Sequence, residues 1–167
     1  MKILFATDGS VHSQAALELI VRRPWPARTQ VHVLSVAHPV PFVVDPFFTG
    51  AAIYAESVIA EQKRADHDVE QAVKLIHERA PGLRCSKAVL EGPIKQRIVE
   101  EAERWKADLI VMGSHGRGPV GRFLLGSVAQ AVVQHAPCSV EIVRLSEAAA
   151  KKALRAKAGG AKRRMRT

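Results

Sequence analysis

The chain has 167 residues, enough for one domain of ordinary size and too few for a second catalytic domain. Apolar residues make up 47% of it, yet no apolar run reaches the ~18–20 residues of a membrane-spanning helix. Two cysteines, Cys85 and Cys138, are too few for a disulfide scaffold and lack metal-ligand spacing, which predicts a reducing, cytoplasmic setting with both thiols buried. Of the net charge of +9, +7 comes from the segment after Leu145, where eight lysines and arginines face one acid, Glu147.

Lys2–Ala6 is apolar and β-prone and stops at Asp8, too short for a secretory apolar region, so it predicts a first strand. Thr7-Asp8-Gly9-Ser10 is turn chemistry, with Ser10 placed to cap a helix whose apolar positions Ala15, Ala16, Leu19 and Ile20 recur at helical spacing. Pro24 and Pro26 end that helix, and Gln30–Ala37 predicts a second strand. Residues 38–50 hold Pro39, Pro41 and Pro46 and predict an irregular loop; residues 52–79 then predict one long helix, stopped by Pro81-Gly82. Residues 84–90 predict a third strand, followed by Gly92-Pro93 and a helix to about Trp105. Residues 108–112 are continuously apolar after Asp108, as in a strand buried on both faces of a parallel sheet; a helix over 124–135 and a strand at Ser139–Val143 complete the pattern.

Five alternations of strand and helix predict an open parallel sheet with helices on both faces, which takes ligands outside the carboxyl ends of its strands where the strand order reverses. The loop after the fourth strand, Gly113 to Ser127, holds five glycines together with Arg117 and Arg122. Glycines let a backbone approach a ligand closely and adopt positive φ, and Gly126-Ser127 stands where unpaired helix N–H groups favour phosphate; the competing reading is a flexible turn that only needs small residues. The loop contains Gly116, Gly118 and Gly121 in a G-x-G-x-x-G array, but the array starts three residues after the strand and includes Pro119, so a dinucleotide fingerprint is rejected. The P-loop pattern is absent, as is the Gly-x-Ser-x-Gly of acyl-transfer hydrolases.

Gly113, two residues, Gly116, nine residues, Gly126 and Ser127 match G-x2-G-x9-G-[ST], and on this motif the chain resembles the ATP-binding branch of the universal stress proteins. The opening strand with its Asp-Gly-Ser turn, the end of the fourth strand and the His135-Ala136-Pro137-Cys138 lead into the last strand extend the resemblance over residues 1–145. It implies a sheet ordered 3-2-1-4-5, with Ala6, Thr7, Asp8 and the backbone of Val36 bordering adenine and ribose. Met112 and Gly113 would line the ribose and α-phosphate, and Gly116, Gly126, Ser127 and Val128 would hold phosphates, with Arg117 adding charge. It further implies ATP, with Mg²⁺ near Asp8, and a homodimer formed through the last strand. Ser139 and Glu141 depart from the proline and aliphatic residue usual in the family, which bears on that dimer contact.

Asp8 is the carboxylate placed to meet a metal or ribose, and a loop aspartate after a strand also caps turns. Asp108, at the opposite end of its strand, reads as structural. The seven histidines show no i, i+4 pair and no accompanying cysteine pattern, so a protein-built metal site is not expected, while His115 falls inside the glycine loop. The tail from 146 to 167, alanine-rich with a Gly159-Gly160 break, reads either as a disordered solvated arm or as a weak polyanion-binding one. The function that follows is reversible nucleotide binding by a stress-response regulator; a slow ATPase or autophosphorylating protein and a non-nucleotide interaction module with a polyanion-binding tail are the alternatives. No catalytic residue is assigned, since phosphoryl transfer needs a positioned base or acceptor and metal carboxylates beyond Asp8.

Overall fold

A computed structural model of the chain describes residues 1–38, 50–116 and 125–145, with backbone alone at 50–53. The loop after His38, the arginines 117 and 122 and the basic tail lie outside the described residues. The elements run β1 (Lys2–Ala6), α1 (Val11–Arg22), β2 (Gln30–Ala37), α2 (Gly50–Arg79), β3 (Arg84–Glu91), α3 (Ile94–Trp105), β4 (Leu109–Gly113), α4 (Ser127–His135) and β5 (Ser139–Val143). Among the described residues no helix is long and apolar enough to cross a membrane.

The strands form one parallel sheet in the order β3-β2-β1-β4-β5, as expected. Alternate strand residues face opposite layers. Ile3, Phe5, Val31, Val33 and Val111 pack under α1 and α2 with Ile20, Val69 and Ile76, whereas Leu4, Leu34, Ile110 and Met112 pack under α3 and α4 with Ile98 and Val132. Phe5 and Ile110 are wholly buried, each removing about 1.5–3 kcal/mol worth of apolar surface from water. Strands β1 and β4, buried along nearly their whole length, occupy the centre of the sheet.

Chain order reverses beside β1, so the loops leaving β1 and β4 diverge to opposite layers and leave a cleft between them. Thirty residues of α2, about 45 Å at 1.5 Å each, outreach strands of five to eight residues, about 17–26 Å long. Its buried stripe, Ala65, Val69, Ala72 and Ile76, lies in the C-terminal half. The N-terminal half therefore extends past the carboxyl edge of the sheet and walls the cleft.

Several expectations are corrected by packing. Helix α4 starts at Ser127 and not at 124, because Gly126 (φ −58°, ψ 150°) is its extended N-cap. The fourth strand starts at Leu109, with Asp108 as its anchor: the Lys2 backbone N–H donates to Asp108 Oδ2 at 2.7 Å and the Asp108 N–H donates to the Lys2 carbonyl at 2.8 Å. Both cysteines are only partly buried, and burial still pushes the Cys85 thiol up to about 11. At the sheet edge Glu141 is not a bare charge, since it accepts two hydrogen bonds from Arg23, at 2.7 and 2.6 Å, and the Arg23 guanidinium stacks on Trp25.

Candidate functional site

At the carboxyl end of β1 the Thr7 N–H donates to the Leu34 carbonyl at 2.9 Å, which continues the β1–β2 ladder one residue beyond the strand. The chain then turns at Gly9, whose φ of +69° favours glycine and whose missing Cβ would lie 2.1 Å from Asp68 Oδ1 on α2. Asp8 Oδ1 accepts from the Ser10 N–H at 3.1 Å, so the turn-capping role is present. Ser10 caps α1 as expected, its Oγ accepting from the Ser13 N–H at 3.2 Å. Its hydroxyl also donates to the His115 carbonyl at 3.4 Å and ties the β1 loop to the β4 loop.

Gly113, Gly116 and Gly126 of the second loop are needed for space and not for positive φ: among the described glycines only Gly9 and Gly92 have φ in the left-handed region. A Cβ on Gly113 would lie 2.7 Å from the His12 carbonyl carbon and the Ser13 nitrogen, so glycine here lets β4 end directly against α1. A Cβ on Gly116 would lie 2.9 Å from Asp8 Oδ2, which places one oxygen of that carboxylate against the glycine loop. At Gly126 the nearest atoms are the Ser114 carbonyl oxygen at 3.2 Å and the His115 Cα at 3.3 Å.

The Gly126 N–H donates to the Ser114 carbonyl at 2.9 Å and closes the base of the loop, so this amide is already spent. The next three are not. The N–H groups of Ser127, Val128 and Ala129 have no hydrogen-bond partner among the described residues, because the first intrahelical bond runs from Gln130 to Gly126 and the glycine N-cap has no side chain to accept from them. Together with the helix dipole they form a donor set for an anion.

These pieces surround a cleft of about 460 Å³. Ala6, Thr7, Asp8, Val36, Met112, Gly113, Gly116, Gly126, Ser127 and Val128 all line it, and Arg117 lies outside the described residues. Leu34, Val36, Ile94 and Ile98, from the layer under α3 and α4, form an apolar half on the β2 side; the glycines and the start of α4 form a polar half on the β4 side. Sequence reasoning missed the wall from α2, where Glu61, Arg64 and Asp68 reach the cleft and Glu61 pairs with Arg64. The signal was present, because extending the stripe Ala65, Val69, Ala72, Ile76 one turn backward lands on Glu61, a charged residue on an otherwise apolar track. His38, Ser13 and His115 were likewise not assigned and also line the cleft.

Behind the glycine loop His12 is buried, its Nδ1 without a partner among the described residues and its ring 5.2 Å from that of His115. Burial and the neighbouring His115 push His12 below the usual histidine range, against the pull of Asp8. No group of three or more metal-ligating side chains occurs among the described residues.

The family model described as Universal stress protein family matches residues 1–144. The chain belongs to the universal stress protein family. Universal stress protein MJ0531 of Methanocaldococcus jannaschii is 34% identical over 143 residues, which cover 86% of this chain and 81% of that protein. The solved structure of protein MJ0577 superposes with a TM-score of 0.72 at 25% identity, covering 87% of this chain and 96% of that one. A universal stress protein family member from Arabidopsis thaliana, solved with AMP bound, shares the fold at a TM-score of 0.59 and 21% identity, with 88% and 93% of the two chains covered. In this universal stress protein the family motif, Gly113 through Ser127, is the segment that ends β4, closes the loop base and opens α4.

Proposed function

We propose that this universal stress protein binds an adenine nucleotide, ATP, reversibly in the cleft between the β1 and β4 loops and acts as a nucleotide-responsive regulator. The observation that carries the reading is the unpaired N–H set of Ser127, Val128 and Ala129 at one end of a cleft whose other end is apolar. Phosphates suit the first end and a base the second. The AMP bound to the Arabidopsis thaliana relative supports the same ligand class.

The surroundings fit Mg²⁺ only together with nucleotide. Asp8 supplies one carboxylate oxygen beside Gly116, and Mg²⁺ bound through one or two carboxylates draws its other ligands from phosphates and water. When bound, the ion would neutralise phosphate charge; Asp8 would hold it while Ser10 fixes the carboxylate's orientation. The β5 edge is proposed as the contact of a homodimer and the basic tail as a weak polyanion arm, both in the cytoplasm.

Calorimetric titration with Mg-ATP, beside chromatography of small molecules released by acid from the purified protein, tests the ligand. Saturable one-site binding, or co-purified ATP or AMP, is the expected result. A folded protein that neither carries nor binds adenine nucleotide refutes the proposal.

A further inference from the structure

We infer that His38 reads the base edge of the nucleotide and sets the preference for a 6-amino over a 6-oxo purine; the inference rests on the nucleotide reading above. The polar half of the cleft lies on the β4 side of β1, so a nucleotide with its phosphates there must direct its base across β1 toward β2 and β3. Its faces then meet Leu34, Val36, Ile94 and Ile98, all apolar, and hydrophobic faces by themselves discriminate poorly between bases. Discrimination needs a polar group at the edge, and His38 lines the cleft at the end of β2.

His38 is held there by the turn after β3. The Gly92 N–H donates to the Ala37 carbonyl at 3.1 Å, and the His38 Nδ1 lies 3.0 Å from the Gly92 carbonyl oxygen. Gly92 makes this return turn at a φ of +123°, a conformation that side-chain-bearing residues rarely adopt. A carbonyl oxygen only accepts, so Nδ1 carries the proton, and in the neutral ring Nε2 is left as an acceptor. An acceptor at the edge pairs with the amino group on C6 of adenine and opposes the carbonyl on C6 of hypoxanthine or guanine.

The test compares ATP with inosine triphosphate, which differs at that C6 group, by calorimetry on the unaltered protein, His38→Phe and His38→Gln. Unaltered protein is expected to favour ATP. His38→Phe keeps a planar ring without an acceptor and should bind both nucleotides with the ATP preference reduced roughly tenfold, the equivalent of one hydrogen bond. His38→Gln, which retains an acceptor oxygen, should recover part of it. In ¹⁵N spectra of the unaltered protein, with the ring assigned by its loss in His38→Phe, the Nε2 resonance should move with ATP and stay with inosine triphosphate. An unchanged ATP preference in folded His38→Phe, or an Nε2 signal that ignores ATP, overturns the inference while leaving nucleotide binding standing. Failure of the unaltered protein to bind either nucleotide overturns the nucleotide reading and this one with it.

Discussion

Replacing Gly126 with valine separates the phosphate-binding role of the loop from its place in the fold. A Cβ there would lie 3.2 Å from the Ser114 carbonyl oxygen and 3.3 Å from the His115 Cα, both backbone atoms that no rotamer change can move aside. The same Ser114 oxygen accepts from the Gly126 N–H at 2.9 Å, so relief of the clash shifts the loop base and, through the N-cap, the first turn of α4. Misdirecting two of the three free N–H groups removes two hydrogen bonds to a charged acceptor, at about 1.5–3 kcal/mol each. The combined loss, about 3–6 kcal/mol, corresponds to roughly 10²- to 10⁴-fold weaker ATP binding. Stability should change by only about 1–3 kcal/mol, an ordinary cost of local overpacking, because Gly126 lies outside both core layers. Gly116→Val is the informative contrast: its Cβ meets the end of a side chain, Asp8 Oδ2 at 2.9 Å, and its effect should be larger with Mg²⁺ than without. Titration calorimetry with and without Mg²⁺, alongside circular dichroism and urea unfolding, checks both variants. If folded Gly126→Val binds ATP like the parent, the start of α4 is not the phosphate site.

Gly113→Ala should destabilise the fold itself, by about 1–3 kcal/mol in urea unfolding, since its Cβ would sit 2.7 Å from the α1 backbone; an unchanged midpoint contradicts that packing account. Acidification should also destabilise. His32 is held between Ser86 at 2.7 Å and Glu101 at 2.9 Å, and burial pushes its imidazole below the usual range although Glu101 pulls the other way. Burial raises Glu101, but the hydrogen bond and charge of Arg104, with His32, outweigh it and leave that carboxyl below its usual range. For His32, as for His12, the unfolded chain binds more protons, so stability is full above the ordinary histidine value near 6.5 and falls as pH drops below it, whereas the Glu101 contribution is lost only further down, below the ordinary carboxyl value of 4.5. Urea midpoints at pH 8 and pH 5 should show that fall, with a shallower slope in His32→Gln; a midpoint that rises on acidification refutes the assignment. Deleting residues 146–167 should leave cooperative unfolding and ATP affinity intact and abolish retention on a polyanion column, and loss of the unfolding transition would show that the tail belongs to the core. Light scattering should report a dimer at micromolar concentration, with Arg23→Ala weakening it by leaving Glu141 unpaired on the edge strand; a monomer in the parent protein removes β5 as the contact.

The strands, the order of the sheet through the family motif and the part of the cleft lining that comes from the β1 and β4 loops were legible in the sequence because each is written locally. Continuous apolar runs mark Lys2–Ala6 and Leu109–Gly113, Asp-Gly-Ser marks the turn into α1, and Gly113 to Ser127 keeps its spacing along the chain. What packing alone decided is how those residues act. Gly113, Gly116 and Gly126 look alike in a motif, yet one meets α1 backbone, one a carboxylate and one the base of its own loop, which only the positions of distant segments reveal. Glu61, Arg64 and Asp68 join the cleft because α2 is longer than the strands it covers, and Glu141 finds Arg23 across 118 residues of sequence. His38 Nδ1 meets the Gly92 carbonyl only because the turn after β3 returns Gly92 to the end of β2. Local sequence sets backbone preference and which face is apolar; side-chain partners far apart in the chain are set by how the layers close on one another.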